Sequence, residues 1–291
     1  MWFRVIGALT VLLFGPGCMV LEARSSSGQA FSSYRAYRRG ESVYIGTLHT
    51  SVWRPLKGSG PWPLVIFSHG KGGSGTQSSF LMSAMADHGY LVIAPDHRDA
   101  HTLAGRGESE GFLKADEWTD QRYRDRADDI KNLIRSLKAD PAWSRKIDWS
   151  EMALAGHSLG GYTVLGLAGA WPSWKIPGVK AVLAMSPYCS PFLASGHLER
   201  IDVPVMYQGG TRDLGITPSV SRQGGAFDRT RSPAYYVEFE GAGHLAWTDL
   251  QPSFQSAIDV SSLAFLDRYV KGDTSVDPRQ RTAAVSDLRV K

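Results

Sequence analysis

Short apolar runs bounded by glycine or proline recur along the 291 residues of this chain. Most of these runs are unbroken instead of alternating, which is typical of strands buried on both faces of a parallel sheet. The runs span residues 64–67, 91–94, 152–155, 181–185, 203–207 and 235–239. Residues 43–52 alternate better between apolar and polar side chains, and this pattern predicts an antiparallel hairpin at the edge of the sheet.

Segments with apolar residues at spacings of three and four lie between the runs and predict helices. They cover residues 79–88, 119–137 with Thr119 as the cap, 159–169 and 256–270. This alternation predicts an α/β fold in which helices flank a mostly parallel central sheet of about eight strands. The chain shows no internal repeat and no second core, so we expect one domain at 34–270 and a loosely attached polar tail at 271–291.

The composition excludes several classes of protein. With 43% hydrophobic residues, 21% charged residues and two cysteines, the chain is neither a disordered protein nor a disulfide scaffold. Its net charge of +4 is spread without a basic block, which argues against nucleic acid as a partner. Cys18 and Cys189 lack the spacing of a zinc site. We therefore expect neither a metal nor a cofactor, and we expect a monomer.

The N-terminus has the pattern of an export signal. Arg4 precedes ten uncharged residues, a stretch too short for the roughly 20 apolar residues that span a bilayer. Residues 1–17 are thus predicted to be a signal peptide, and residues 18–33 a flexible tether. Cys18 would be the first residue of a lipidated, membrane-anchored chain, although Gly15 stands where such signals usually carry leucine. The alternative is an uncleaved anchor. The predicted location is secreted, periplasmic or lipid-anchored to the cell envelope.

One motif carries a candidate nucleophile. The sequence Gly-His-Ser-Leu-Gly-Gly at 156–161 follows one predicted strand and opens a predicted helix. In this strand–turn–helix context, a G-x-S-x-G motif raises the serine hydroxyl above the sheet on a tight, strained turn. The glycines avoid clashes with neighbouring elements, and the helix N-terminus favours a developing oxyanion. Ser158 is therefore the predicted nucleophile.

A serine hydroxyl needs a base to accept its proton and an acid to orient that base. The chain order nucleophile, acid, histidine leaves two histidines, and His244 is favoured because no acid separates Ser158 from His197. Asp213 follows a predicted strand at its carboxyl end and is the predicted orienting acid. The other acids considered lie at the wrong strand end, in a distant loop or too close to His244; they are Glu199, Asp202, Asp228, Glu238 and Glu240.

The glycine-rich sequence at 68–73 follows another predicted strand. In this arrangement, one oxyanion donor comes from such a loop and the other from the residue after the nucleophile. The backbone N–H groups of Lys71 and Leu159 are thus the predicted oxyanion hole. A phosphate-binding loop is the rival interpretation, but this sequence lacks the Gly-Lys-Ser/Thr with which a P-loop motif ends.

Together, Ser158, Asp213, His244 and the sequences at 67–70, 95–99 and 156–161 make the chain resemble the α/β-hydrolase superfamily over residues 44–269. The resemblance is greatest to platelet-activating-factor acetylhydrolase and dienelactone-hydrolase-like esterases, although true dienelactone hydrolases use cysteine as the nucleophile. It implies hydrolysis of a carboxylic ester through an acyl-enzyme. The His-Arg-Asp sequence at 97–99 implies either a charged loop with an Arg–Asp pair or a direct catalytic role.

The resemblance leaves the substrate open. Cutinase-type polyester hydrolases share the order of the triad, but usually carry an aromatic residue where this chain has Lys71. Residues 187–200 would form a short lid, which favours a short acyl group or a polymeric ester. Candidate residues for the acyl site, each of which could instead belong to the core, are Tyr188, Phe192, Leu193, Leu214 and Trp247. The alternative function is a non-catalytic or lipid-anchored binding protein on the same fold.

Overall fold

A nine-stranded sheet runs through the part of the chain that the structure, a computed structural model, describes: residues 37–101 and 114–291. The signal peptide, the tether and Cys18 lie outside the described residues. The strands are β1 (Glu41–Ile45), β2 (Leu48–Trp53), β3 (Trp62–Ser68), β4 (Leu91–Pro95), β5 (Ile147–His157), β6 (Val179–Met185), β7 (Val205–Gly210), β8 (Ala234–Phe239) and β9 (Val285–Val290).

The strand order across the sheet is β1-β2-β4-β3-β5-β6-β7-β8-β9. The six strands from β3 to β8 are mutually parallel, whereas the hairpin β1–β2 and the last strand, β9, pair antiparallel with their neighbours. Side chains of the parallel strands are buried on both faces, as their unbroken apolar runs predicted. The predicted α/β fold, its mostly parallel sheet and its edge hairpin are confirmed.

Helices cover both faces of the sheet. Their bounds are α1 (Ser79–Asp87), α2 (Arg124–Ala139), α3 (Pro141–Ser144), α4 (Leu159–Leu165), α5 (Ser190–Ala194), α6 (Pro218–Ser221), α7 (Ala226–Arg229) and α8 (Gln255–Tyr269). Apolar residues of α2 and α4 pack into one buried cluster, and those of α1 and α8 into a second. No helix within the described ranges has the length and apolar character needed to cross a membrane.

Helix α2 begins later than the sequence indicates. Thr119 does not cap it; the Thr119 hydroxyl accepts a bond from the Gln121 N–H in the preceding turn, at 3.3 Å between oxygen and nitrogen. The residue before the helix, Tyr123, has a left-handed backbone with φ of 56°. Regular helix geometry can begin only after such a residue. The apolar spacing that starts at Tyr123 therefore includes a buried side chain that precedes the helix.

The C-terminal segment differs most from its prediction. Residues 271–291 were expected to be a polar tail outside the fold, but they contain β9, which extends the sheet beyond β8. Both backbone bonds between Ala234 and Lys291 are 3.0 Å long, and Leu288 packs against the core. The strand escaped prediction because most of its side chains are only partly buried, and an edge strand of this kind has no apolar run.

We expect a chain that ends at residue 282 to be less stable than the full chain. The deletion removes the ladder between β8 and β9, and six residues of lost pairing correspond to about 3 kcal/mol or more at ~0.5–1.5 kcal/mol per hydrogen bond. Urea unfolding followed by circular dichroism measures the change. The variant Ser286→Ala keeps the backbone ladder and serves as the control. An unchanged unfolding midpoint in the truncated chain would show that β9 is not part of the stable fold.

Candidate active site

Four loops meet at the carboxyl edge of the parallel strands. They follow β3, β5, β7 and β8, and they carry residues 69–77, Ser158, Asp213 and His244, respectively. Ligand sites in α/β folds lie at this edge, because the loops there leave strands that all point the same way. The side chains of Ser158 and His244, 86 positions apart in sequence, therefore come into contact.

Ser158 occupies the sharp turn between β5 and α4. Its backbone has φ of 56°, a left-handed conformation that a residue with a side chain rarely adopts. Bonds from the Ser158 N–H to the Met185 carbonyl, 3.0 Å, and from the Tyr188 N–H to the Ser158 carbonyl, 3.1 Å, hold the turn. A Cβ at position 160 would overlap the Ser68 carbonyl oxygen, and one at 156 would overlap residue 160. Both glycines of the motif are thus required by close backbone approach.

The structure brings together the three residues proposed as a triad. His244 Nε2 lies 2.9 Å from the Ser158 hydroxyl oxygen, and His244 Nδ1 lies 3.2 Å from Asp213 Oδ1. Asp213 is buried, whereas the His244 side chain keeps 34% of its surface exposed. A proton can therefore pass from Ser158 to a histidine whose opposite nitrogen faces a carboxylate.

Ser186, which no motif marked, joins this group. Its hydroxyl donates to Asp213 Oδ2 and lies 2.8 Å from His244 Nδ1. Since the hydroxyl hydrogen is used on Asp213, its oxygen accepts from the Nδ1–H of His244. That nitrogen is thereby fixed as the donor, which leaves Nε2 free to accept from Ser158. Ser186 directly follows β6 and Asp213 lies three residues after β7, so both are at the carboxyl ends of neighbouring strands.

Hydrogen bonds keep the Asp213 carboxylate charged. Burial opposes ionisation, but the bonds from His244, Ser186 and Thr217 outweigh burial and hold the pKa of Asp213 below its ordinary value of 3.8. The Thr217 hydroxyl contributes at 3.1 Å. Asp213 is consequently an acceptor for the Nδ1–H of His244 throughout the neutral range.

The glycine-rich loop after β3 is held in place through hydrogen bonds from its backbone N–H groups. The N–H of Gly70 donates to Gln77 Oε1 at 2.9 Å, that of Gly72 to Asp99 Oδ2 at 3.0 Å, and that of Gly73 to the Gly70 carbonyl at 3.0 Å. Lys71, a predicted oxyanion residue, lies in this loop and lines the cavity beside Ser158. Leu159, the other, is the first residue of α4, so its N–H has no acceptor within the helix.

Arg126 and Asp99 form a buried ion pair behind that loop. Nε and Nη2 of Arg126 contact the Asp99 carboxylate at 2.9 and 2.7 Å. Nη1 donates to the His69 carbonyl at 2.7 Å, and Nη2 also donates to the Gly70 carbonyl at 3.2 Å. The Arg126 charge holds the pKa of Asp99 well below its usual range despite burial. The partner of Asp99 is therefore Arg126 from α2, and not its sequence neighbour Arg98.

His97, the first residue of the His-Arg-Asp sequence at 97–99, lies in the interior of the protein. It is fully buried, with Nε2 2.9 Å from the Ser68 hydroxyl and Nδ1 3.0 Å from Asp129. Burial, followed by the charge of Arg126, lowers the pKa of His97 well below 6.5. Ser68, His97 and Asp129 thus form a second Ser–His–Asp row. None of the three lines the cavity, so this row has the order of a triad without contact with a ligand site.

A cavity of about 630 Å³ opens beside Ser158 and His244. Its walls come from the glycine-rich loop and from the segment around His244, where Leu245 and Leu250 expose apolar side chains. Among the described residues, the lining comprises Gly70, Lys71, Gly72, Gly73, Ser74, Thr76, Gln77, His101, His157, Ser158, His244, Leu245, Thr248, Asp249 and Leu250.

The predicted substrate residues do not line this cavity. Tyr188 and Phe192 are buried in an aromatic cluster with Trp118 and Tyr162, and Trp247 is buried beneath His157. Leu214 is 78% exposed but lies outside the lining, as does the partly buried Leu193. The segment 187–200, expected to be a lid, packs its apolar residues into the core instead. Its apolar character therefore reflects packing and not substrate contact.

Comparisons with known proteins agree with this fold. The family model of platelet-activating factor acetylhydrolase, isoform II, matches residues 39–138. A cutinase, est2, from Thermobifida alba is 28% identical over 282 residues, covering 92% of this chain and 80% of the cutinase. Platelet-activating factor acetylhydrolase from Canis lupus familiaris is 26% identical over 209 residues, covering 56% of this chain and 46% of that protein.

The chain has the α/β-hydrolase fold and is similar to two kinds of ester hydrolase, the cutinases and the platelet-activating factor acetylhydrolases. The predicted resemblance to platelet-activating factor acetylhydrolase is confirmed. Cutinase 2 from Thermobifida cellulosilytica, 27% identical over 266 residues, shows that the α/β-hydrolase is also similar to cutinases, although Lys71 counted against that group. One loop residue is thus a weaker guide than similarity along most of the chain.

Three residues that support the site were missed by motif reasoning: Gln77, Arg126 and Ser186. Arg126 left a readable signal, because it falls in phase with the apolar residues Tyr123 and Ile130 on the buried face of α2. A charged residue on a buried face needs a charged partner, and Asp99 was the acid already marked by its motif. Gln77 left no comparable signal, since its partners are a backbone N–H and a histidine in a distant loop.

We expect this α/β-hydrolase to lose stability steeply below about pH 6. Burial lowers the pKa of His69 and His97 well below 6.5, and that of His157 to about 3, so the unfolded chain binds three more protons than the folded chain. Burial raises the pKa of Asp129 to about 6, so below that pH the folded chain binds one proton there that the unfolded chain does not. The net difference is two protons. The free energy of unfolding should therefore fall by about 2.7 kcal/mol per pH unit between about pH 6 and 4.

Urea unfolding at several pH values measures this slope. In the variant His157→Gln, one of the three histidines is removed and the slope should drop to about 1.4 kcal/mol per pH unit. A free energy of unfolding that stays constant from pH 6 to pH 4 would contradict the burial of neutral histidines.

Proposed function

We propose that Ser158, His244 and Asp213 form the catalytic triad with which this enzyme hydrolyses carboxylic esters through an acyl-enzyme. The observation that carries the proposal is the 2.9 Å contact between His244 Nε2 and the Ser158 hydroxyl on a strained turn at the rim of a cavity. Geometry of this kind lets a neutral histidine accept the serine proton as the oxygen attacks.

In the first step, Ser158 Oγ attacks the ester carbonyl carbon and its proton moves to His244 Nε2. The resulting imidazolium is stabilised by Asp213, which stays ionised. His244 then gives the proton to the leaving alcohol, and the acyl group remains on Ser158. In the second step, water attacks the acyl-enzyme with the same histidine as base, which releases the acid and restores Ser158.

The tetrahedral oxyanion of each step is assigned to the backbone N–H groups of Lys71 and Leu159. Support comes from their positions, since Leu159 directly follows Ser158 at the start of α4 and Lys71 lines the same cavity. The Arg126–Asp99 pair fixes the loop before the reaction, so the donors need little reorganisation. Loss of one such donor typically slows the reaction by about 100- to 1,000-fold.

The substrate is proposed to be an ester with a short acyl group or a polymeric ester chain. The exposed side chains of Leu245 and Leu250 form an apolar wall next to His244, with a polar glycine-rich wall opposite. The similarity to cutinases and to platelet-activating factor acetylhydrolases accommodates both kinds of ester. A binding protein on the same fold is the competing hypothesis, and it makes no use of the contact between Ser158 and His244.

We expect the wild-type protein to release nitrophenol from p-nitrophenyl acetate, butyrate and octanoate, with the shorter esters preferred. Ser158→Ala should lower kcat by at least about 10,000-fold, because the nucleophile acts as a unit with its base. A fluorophosphonate probe should label the wild type at Ser158, as read by peptide mass spectrometry.

The matched control is Ser68→Ala, which removes the serine of the buried second Ser–His–Asp row. This variant should keep the fluorophosphonate label on Ser158. Absence of nitrophenol release by the wild type would favour the binding protein, and equal rates for wild type and Ser158→Ala would overturn the proposed triad.

Export is proposed as well, with residues 1–17 as the signal peptide and Cys18 as the lipidated first residue of the mature chain. The support is the charge pattern of the N-terminus and the small residues before Cys18. Lipidation would tether the hydrolase to the cell envelope through residues 18–33 and keep its cavity outside the cytoplasm.

We expect a full-length chain produced in a bacterium to be cleaved before Cys18 and to be recovered with the membranes. Cys18→Ser should remove the lipid and shift the protein to the soluble exported fraction, whereas Cys189→Ser, which changes the buried cysteine, should leave the membrane fraction unchanged. Fractionation and the mass of the N-terminal peptide measure both effects. An unprocessed N-terminus would contradict the signal peptide.

A further inference from the structure

His157 precedes the proposed nucleophile but takes no part in the triad. Its ring is 2% exposed and makes two hydrogen bonds. Nδ1 lies 2.9 Å from Nε2 of Gln77, and Nε2 lies 2.9 Å from the backbone carbonyl oxygen of His244. Gln77 in turn accepts from the Gly70 N–H through Oε1, also at 2.9 Å. A continuous row of hydrogen bonds thus crosses the floor of the cavity.

The two backbone groups at the ends of this row, the Gly70 N–H and the His244 carbonyl, determine which atom donates in each bond. The Gly70 N–H requires the oxygen of the Gln77 amide, so the amide NH₂ faces His157. His157 Nδ1 must then accept, which places its single proton on Nε2, where the His244 carbonyl oxygen accepts it. One amide orientation and one tautomer satisfy every group. We call Gln77 and His157, in this arrangement, the Gln77–His157 brace.

The surroundings keep the brace neutral. Burial, and after it repulsion by the charge that His244 carries when protonated, lowers the pKa of His157 to about 3. The ring centroids of His157 and His244 are 4.9 Å apart, and Trp247 stacks on His157 with a centroid separation of 6.2 Å. The Trp247 indole N–H donates to Gln208 at 2.8 Å, which anchors this stack in the core. His157 therefore cannot tilt or gain charge without losing bonded partners.

We propose that the Gln77–His157 brace positions the two halves of the reaction centre relative to each other. It bonds the loop of the oxyanion donor Lys71, at Gly70, to the loop of the general base, at His244. The inference rests on the proposed function of Ser158 and His244. Neither brace residue exchanges a proton with the substrate; both are positioning residues that set the separation between the oxyanion donors and His244 Nε2.

This role makes the two hydrogen bonds of His157 unequal in their effect on catalysis. The bond to the His244 carbonyl acts on the base directly, whereas the bond from Gln77 fixes the tautomer that makes it. Displacing a reacting group by about 1 Å can cost about 100-fold in rate. Loss of the bond to the His244 carbonyl, either directly or because Gln77 no longer fixes the tautomer, should therefore lower kcat by about 10- to 100-fold and leave KM nearly unchanged.

Two substitutions of the same ring separate positioning from packing. In His157→Gln, the side-chain amide reaches as far as Nε2 and can still donate to the His244 carbonyl. In His157→Asn, the shorter amide can accept from Gln77 but does not reach that carbonyl. We expect His157→Gln to keep kcat within about 3-fold of wild type and His157→Asn to lose about 10- to 100-fold, by the cost of misplacement given above.

Gln77→Met completes a double-mutant cycle with His157→Asn. Since both changes break one row of bonds, the double variant should lose no more kcat than the worse single variant. Gln77→Glu is a second variant of native size; its carboxylate opposes the accepting Nδ1 and should also lower kcat. Gln121→Met, at an exposed glutamine outside the cavity, controls for the glutamine-to-methionine change. The assay is p-nitrophenyl butyrate hydrolysis, with urea unfolding of every variant.

The outcomes separate this inference from the proposed function. Equal kcat losses in His157→Gln and His157→Asn, or additive losses in the double variant, would overturn the brace and leave the triad intact if Ser158→Ala is inactive. A rise in KM with unchanged kcat would also overturn it, since that result indicates a role in binding. An active Ser158→Ala would instead remove the proposed function on which the brace depends.

Discussion

The buried charge of Arg126 is the constraint on which the site depends. A fully buried guanidinium is unfavourable unless each donor has an acceptor, and here the acceptors are Asp99 and the carbonyls of His69 and Gly70. Helix α2, the loop after β4 and the loop after β3 are therefore fixed to one another by charge. Because the carbonyls of the loop face inward to Arg126, its path past Lys71 is determined before any ligand enters.

The strained turn at Ser158 complements that constraint from the other side of the cavity. Its left-handed backbone is maintained because the Met185 carbonyl and the Tyr188 N–H bond to it, and because residues 156 and 160 carry no side chain. The strain and the buried ion pair act on the loops of Ser158 and Lys71, and neither acts on the loop of His244. The Gln77–His157 brace is proposed to set the separation between the proposed oxyanion loop and His244 Nε2, since it bonds Gly70 to the backbone of His244.

The parallel strands and the nucleophile motif could be predicted from sequence because each is a local pattern: an unbroken apolar run, or glycines around a serine. Asp213 and His244 required only the chain order and their positions after strands. Strand β9 could not be predicted, since its partly buried side chains form no apolar run and its place in the sheet depends on pairing with β8. Gln77 and Ser186 depend on contacts across the fold. Tyr188, Phe192 and Trp247 are buried and do not line the cavity beside Ser158, because aromatic residues near a motif serve packing as readily as binding.

The family match and the geometry of the proposed triad are separate observations that converge on one site. The match spans residues 39–138, which contain the glycine-rich loop, Gln77 and the Arg126–Asp99 pair, whereas Ser158, Asp213 and His244 all follow it in sequence. Similarity in the first half of the chain thus concerns the support of the proposed oxyanion loop, and the hydrogen bonds of the second half concern the proposed nucleophile and its proposed base. A loop held so rigidly against Ser158 is of use to a reaction that develops charge beside that serine, which favours catalysis over simple binding.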